Sequence, residues 1–90
     1  MRTVIITGGT SGIGLETAKY LHNEGYAVAV IGRNQAKIDK AVDSIGSKCK
    51  GYQCDVSSVK EIESTVEQIN DDYGSIDVLV NSAGILDIVL

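Results

Sequence analysis

The opening of the chain, from Met1 to Gly14, constrains its fold more than any other stretch. Val4-Ile5-Ile6 is a continuous β-branched apolar run, and it passes directly into Thr7-Gly8-Gly9-Thr10-Ser11-Gly12-Ile13-Gly14. A short run that is apolar on every side suits a strand buried on both faces, as in a parallel sheet. A glycine-rich turn that leaves such a strand and opens a helix presents backbone N–H groups and a helix N-terminus to an anion. Gly8 would allow the tight turn, Gly12 the approach of a pyrophosphate to the backbone, and Gly14 close packing of helix on strand. Thr10 and Ser11 add hydroxyl donors. The glycines are spaced G-x-x-x-G-x-G, not G-x-G-x-x-G, so the loop taken alone also reads as a glycine-rich turn without a ligand.

The strand-then-helix pattern recurs. A first helix is expected from Ile13 to Asn23, stopped by Gly25, and Ala27 to Ile31 is a second apolar run. Ile38, Ala41, Val42 and Ile45 stand at i, i+3, i+4 and i+7 of a second helix, with Asn34 as N-cap and Gly46 as stop. Gly51 to Cys54 predicts a short, polar third strand. Val59, Ile62, Val66, Ile69 and Tyr73 mark one face of a third helix, which Ser58 and Glu61 open with a capping box and Gly74 ends. Ile76 to Val80 predicts a fourth strand, interrupted by Asp77. Alternation of this kind predicts an α/β fold of the Rossmann type, βαβαβαβ, with a parallel sheet in the order 3-2-1-4 flanked by helices. With 90 residues the chain is at most one domain, here a single partial one over 1–90. Ile85 to Leu90 is apolar and would begin a fifth element that is never completed.

Composition narrows the partners. Eight Lys and Arg against twelve Asp and Glu give a net charge of −4, with no basic patch, so neither nucleic acid nor an anionic membrane is an expected partner. The apolar run at the N-terminus is too short for a signal peptide or a membrane span. Cys49 and Cys54 fit no C-x-x-C motif, and an extended segment between them would span roughly 16 Å, too far for a disulfide. Two reduced thiols point to a cytoplasmic setting. His22, the single histidine, is expected to face solvent, and no metal is expected.

Thr7 to Gly14 resembles, throughout, the T-G-x-x-x-G-[IL]-G loop of the short-chain dehydrogenase/reductase family. Cys54-Asp55-Val56 resembles the family's D-[VL] pair after strand three, and Asn81-Ser82-Ala83-Gly84 its N-N-A-G motif after strand four. The three motifs occur in order, each at a strand's carboxyl end, and span nearly the whole chain. The resemblance implies that Asp55 contacts an adenine ring and that Asn81 braces the sheet near the cofactor. Ser82 departs from the usual second Asn but can still hydrogen-bond. From the residues alone, Asp55 also reads as a helix-initiating carboxylate, and 81–84 as a polar turn.

The expected cofactor follows from the end of strand two. Rossmann proteins that take NAD place an acid there for the ribose 2′-hydroxyl. Here Gly32 holds that place and Arg33-Asn34 follow. A missing carboxylate removes repulsion against a 2′-phosphate, and a guanidinium offers it a planar charged fork. NADP is therefore expected, with Ser11 and Asn34 adding hydrogen bonds. Arg33 as a solvated loop residue, and NAD binding by stacking of its guanidinium on adenine, stay open. The cofactor-binding set is then Thr7, Gly8, Thr10, Ser11, Gly12, Ile13, Gly14, Arg33, Asn34, Asp55, Val56, Asn81, Ala83 and Gly84.

The family's chemistry uses a Tyr-x-x-x-Lys pair and an upstream Ser, the Lys lowering the Tyr pKa. Four residues after Tyr20, Tyr26, Tyr52 and Tyr73 stand Glu24, Val30, Val56 and Asp77, so no catalytic residue is assigned. The resemblance implies the adenine-binding half of an oxidoreductase that moves hydride between a nicotinamide cofactor and a carbonyl or alcohol. The alternative is a stand-alone, non-catalytic nucleotide-binding or interaction module. A lone half with an unpaired fourth strand is expected to form a homo-oligomer or to require the missing C-terminal half.

Overall fold

The computed structural model describes residues 2–82 and, as backbone, 87–89. Its elements run β1 (Thr3–Thr7), α1 (Gly12–Asn23), β2 (Ala27–Gly32), α2 (Gln35–Ile45), β3 (Cys49–Gln53), α3 (Val59–Tyr73), β4 (Val78–Asn81) and β5 (Asp87–Val89). The sheet order is β3-β2-β1-β4-β5. The first four strands are parallel in the expected 3-2-1-4 order, with Ile5 beside both Ala29 and Leu79.

The edge of β4 departs from expectation. A fourth strand with one bare edge was predicted, but β5 runs antiparallel along it, Val80 opposite Ile88. Backbone groups that would otherwise be unpaired gain partners when the chain folds back, which is the usual remedy for an exposed edge.

The two faces of the sheet are covered unequally. Val4, Ile6, Val28 and Val30 have no exposed surface and pack under Ala18 of α1 and Ala41 and Ile45 of α2. Burying each such β-branched side chain stabilises the fold by about 1.5–3 kcal/mol. Ile5, Ala29 and Ile31 face the other way, and among the described helices α3 alone lies over them, through Ile69 and Tyr73. Two tyrosine hydroxyls pin the end of that helix: Tyr73 donates to the Val28 carbonyl at 2.9 Å and Tyr52 to Asp72 Oδ2 at 2.6 Å. The first half of the α3 stripe does not pack. Val59 is 69 % exposed, Ile62 36 % and Val66 38 %, and a cavity of about 420 Å³ lies between the last two and Ile5, Ile31 and Leu79.

Local details refine the sequence reading. Asn34 Oδ1 caps α2 by accepting from the Lys37 amide at 3.1 Å. Ser58 Oγ accepts from the Glu61 amide at 3.3 Å, but Glu61 Oε1 accepts from the Asp55 amide, not from that of Ser58, so only half of the capping box forms. The Ser58 amide has a partner already, the Asp55 carbonyl at 3.0 Å. Asp77 does not interrupt pairing: its Oδ2 accepts from the Thr3 amide at 2.9 Å and its own amide donates to the Thr3 carbonyl at 3.0 Å. His22 is half-buried instead of solvent-facing. Its Nε2 accepts from the Lys48 amide at 3.2 Å and its ring fills the space beside Gly46, tying α1 to the turn before β3. Cys49 and Cys54 are buried free thiols, and burial pushes Cys49 up to about 11. No helix among the described residues is long and apolar enough to cross a membrane.

Candidate functional site

The carboxyl ends of β1, β2 and β4 meet at one rim, and the glycine loop lies across it. Gly8 has φ of 67°, a left-handed conformation that L side chains disfavour, and its amide donates to the Ile31 carbonyl at 3.0 Å, fastening the loop to β2. A Cβ on Gly14 would press into the Gly8 carbonyl and Ser82 Oγ, so helix and loop can be this close only with glycine there. Gly9 is constrained too, although nothing in the sequence pattern singles it out. A Cβ on it would lie 2.8 Å from Val30 Cγ1.

Gly12 differs from these. Its φ is 56°, yet a Cβ there would meet nothing within 4 Å. No packing inside the protein excludes a side chain from that spot, which opens onto the first turn of α1. Ser11 occupies the N-cap of that helix but its side chain makes no cap hydrogen bond, and the first turn carries no acid. Of the three described helices α1 alone lacks a side-chain cap. Its first amides therefore depend on water or a ligand for acceptors. Ile13, 67 % exposed, stands beside them.

A cavity of about 220 Å³ opens between the loop, at Gly8 and Thr10, and the end of β2, at Gly32, Arg33 and Asn34, with Val56 across from them. It brings together residues that the sequence offered from three separate motifs. Lys37 also lines it. Sequence reading missed this lysine; the available signal was its place three residues after the Asn34 cap. A Cβ on Gly32 would lie 2.9 Å from the Thr10 methyl, so a carboxylate side chain there would have to displace Thr10. Because Asn34 spends its carboxamide oxygen on the α2 cap, its NH2 is the group of the right polarity for an anion.

Asp55 lies next to this cavity in a smaller one of about 200 Å³, which it shares with Arg33, Gln53, Cys54 and Glu61. Its Oδ1 accepts from the Ser57 amide at 3.0 Å and Ser57 Oγ at 2.7 Å, the turn that leads into α3. Those bonds, with a smaller contribution from the Arg33 charge, hold its carboxyl below the usual carboxylate range. It is an ionised acceptor at neutral pH.

Asn81 and Ser82 join the ends of β4 and β1. Thr7 Oγ1 donates to Asn81 Oδ1 at 2.7 Å, and Ser82 donates to the Thr7 carbonyl through both Oγ at 2.6 Å and its amide at 3.2 Å. Ala83 and Gly84 lie outside the described residues. Thr7 and Asn81 border the larger apolar cavity under α3, so the rim runs from there across the loop to Arg33.

The short chain dehydrogenase family model matches residues 2–89. Carbonyl reductase family member 4 of Xenopus laevis is 46% identical over 80 residues, covering 89% of this chain and 34% of that protein. Among solved structures, an actinorhodin polyketide ketoreductase with NADPH superposes with a TM-score of 0.89 at 41% identity, over 93% of this chain and 33% of its own. An NAD+-bound xylitol dehydrogenase also gives 0.89, at 37% identity, over 93% and 34%. The chain spans about a third of the length of each of these proteins.

Proposed function

The chain belongs to the short-chain dehydrogenase family, and from that premise we propose that it is the NADP(H)-binding portion of an oxidoreductase acting between a carbonyl and an alcohol. The observation that carries the choice of cofactor is the end of β2, where Gly32 and Arg33 border the cavity beside the glycine loop. The residues fit a dinucleotide. The uncapped first turn of α1 and the open space over Gly12 suit the pyrophosphate, and Val56 with Asp55 suits the adenine. Thr10, Ser11 and Asn34 offer hydrogen bonds around the ribose and its phosphate, and Arg33 offers the charge. Ile13 and Asn81 at the rim, with Ala83 and Gly84 of the motif after β4, complete the proposed cofactor-binding set.

Bound there, the cofactor supplies or accepts a hydride. The residues of this chain bind and orient it, and none of them is assigned a proton transfer. Thr7 and Asn81 hold the ends of β1 and β4 in register, which fixes the loop against the rim. Buried free thiols support a reducing, cytoplasmic setting.

Calorimetric titration of the 90-residue chain with NADP+ and NAD+ tests the reading. NADP+ is expected to bind more tightly, and Arg33→Ala to remove most of the preference, since a charge-assisted contact contributes about 1.5–3 kcal/mol. Equal affinity for the two cofactors in the unaltered chain would refute it.

A further inference from the structure

We infer that Thr10 is a specificity-determining residue that acts by exclusion. Its methyl fills the space over Gly32, where a carboxylate would have to stand to meet a ribose 2′-hydroxyl. The glycine loop and the end of β2 then set cofactor preference as a pair. The inference deepens the reading that this site takes NADP(H), and rests on it.

Space, not backbone, keeps position 32 a glycine. Among the described glycines, Gly8, Gly12, Gly25, Gly46 and Gly74 take positive φ and Gly32 does not, so its backbone would admit an L side chain. A Cβ there would lie 2.9 Å from Thr10 Cγ2 and 3.3 Å from Ile38 Cγ1. The first contact is a clash; the second asks Ile38 to give by a few tenths of an ångström. Thr10 is thus the main obstacle to any side chain at this position.

Neither side of the clash moves away cheaply. The Gly8 amide donates to the Ile31 carbonyl at 3.0 Å and fastens the loop to the strand that ends in Gly32. The Cys54 amide donates to the Gly32 carbonyl at 2.9 Å and holds that end from its other side. A β-branched side chain presents a methyl or a hydroxyl in most of its staggered rotamers, so rotating Thr10 mostly exchanges one obstacle for another. Serine has a single heavy atom on its Cβ and can turn it aside while keeping the hydroxyl. Thr10 and Gly32 line the same cavity of about 220 Å³, so the loop residue decides what position 32 can offer to a ribose there. NAD gains from an acceptor at that place, and Thr10 denies it one. A 2′-phosphate needs no such acceptor and is spared its repulsion.

Thermal melts test the exclusion, and titrations of the 90-residue chain test its effect. Replacing glycine by alanine at an ordinary φ stabilises a protein where space is free, because it restricts the unfolded chain. Gly32→Ala is instead expected to lower Tm by roughly 5–15 °C in the unaltered chain, and by little or nothing in the Thr10→Ser background. With NADP+ and NAD+ as ligands, Gly32→Asp alone should bind both weakly. The Thr10→Ser, Gly32→Asp pair should bind NAD+ about ten-fold more tightly than NADP+, the reverse of the parent's order. A Gly32→Ala chain that melts at or above the parent overturns the inference, as does an equal loss of Tm in the two backgrounds. So does a Gly32→Asp chain that reverses the preference without any change at Thr10. Each of these leaves the reading of the site intact. If the unaltered chain shows no preference or binds neither cofactor, the reading of the site fails and the inference with it. The same holds if the paired variant melts like the parent and does not prefer NAD+, since position 32 then does not face the ribose.

Discussion

Gly12 and Gly14 sit two positions apart and are glycine for opposite reasons, which makes them separable by mutation. Gly12→Val puts a side chain into open space over the first turn of α1. It also forces a β-branched residue into a left-handed conformation, at a cost of about 1–2 kcal/mol. Binding of either cofactor is expected to be lost, while circular dichroism still reports a folded chain with a lowered Tm. Gly14→Ala drives a methyl into the Gly8 carbonyl and should disturb folding itself, visible as a larger loss of Tm. Retained binding in Gly12→Val would show that the pyrophosphate sits elsewhere. The close packing at Gly14 was legible in the sequence because glycine spacing after a strand encodes it, and the approach of a pyrophosphate at Gly12 is what the Gly12→Val titration decides. The role of His22 was not legible. Its Nε2 accepts from the backbone of Lys48, twenty-six residues away in the chain, and no local pattern announces a bond of that range. The bond made by Asp77, which stands just before β4, was hidden for the same reason: its partner, Thr3, is seventy-four residues upstream.

Elements were legible where a cap or a stripe writes their bounds. Asn34 and Gly46 delimit α2, and Ser58 and Gly74 delimit α3, as read from sequence. What the pattern did not disclose was which half of a stripe would find a surface to cover. Ile69 packs and Val59 does not, because only the tyrosine-pinned end of α3 reaches the sheet. The half-formed capping box has a measurable consequence. Ser58 Oγ alone satisfies the Glu61 amide, so Ser58→Ala should cost about 0.5–2 kcal/mol in chemical denaturation. Glu61, which accepts from the Asp55 amide, holds the turn beside the cavity that Asp55 shares with Arg33. A Ser58→Ala chain as stable as the parent would mean that α3 begins later than Val59.

For the whole molecule the unequal cover of the sheet governs behaviour in solution. With the β4 edge occupied by β5, association along that edge loses its main cause. Among the described residues a contiguous apolar surface is left by the cavity under α3, which the part-exposed Ile62 and Val66 line, with the exposed Val59 on the same helix. Contiguous apolar surface of this kind promotes association. We expect light scattering after size-exclusion chromatography to show concentration-dependent self-association. A Val59→Ser, Val66→Ser double variant should shift the population toward monomer. A parent chain that stays monomeric at high concentration would show that the face is already satisfied. The topology has a further consequence, in time instead of space. β1 leaves the ribosome before the other described strands yet lies inside the sheet, between β2 and a strand that begins at Val78. Its pairing with β2 closes a short loop, whereas its pairing with β4 must wait until Val78–Asn81 is made and carries the larger loop-closure entropy. During synthesis the nucleotide rim therefore exists first as the β1–loop–α1–β2 unit, with the loop already formed, and the Thr7–Asn81 bond is the last piece of it to close.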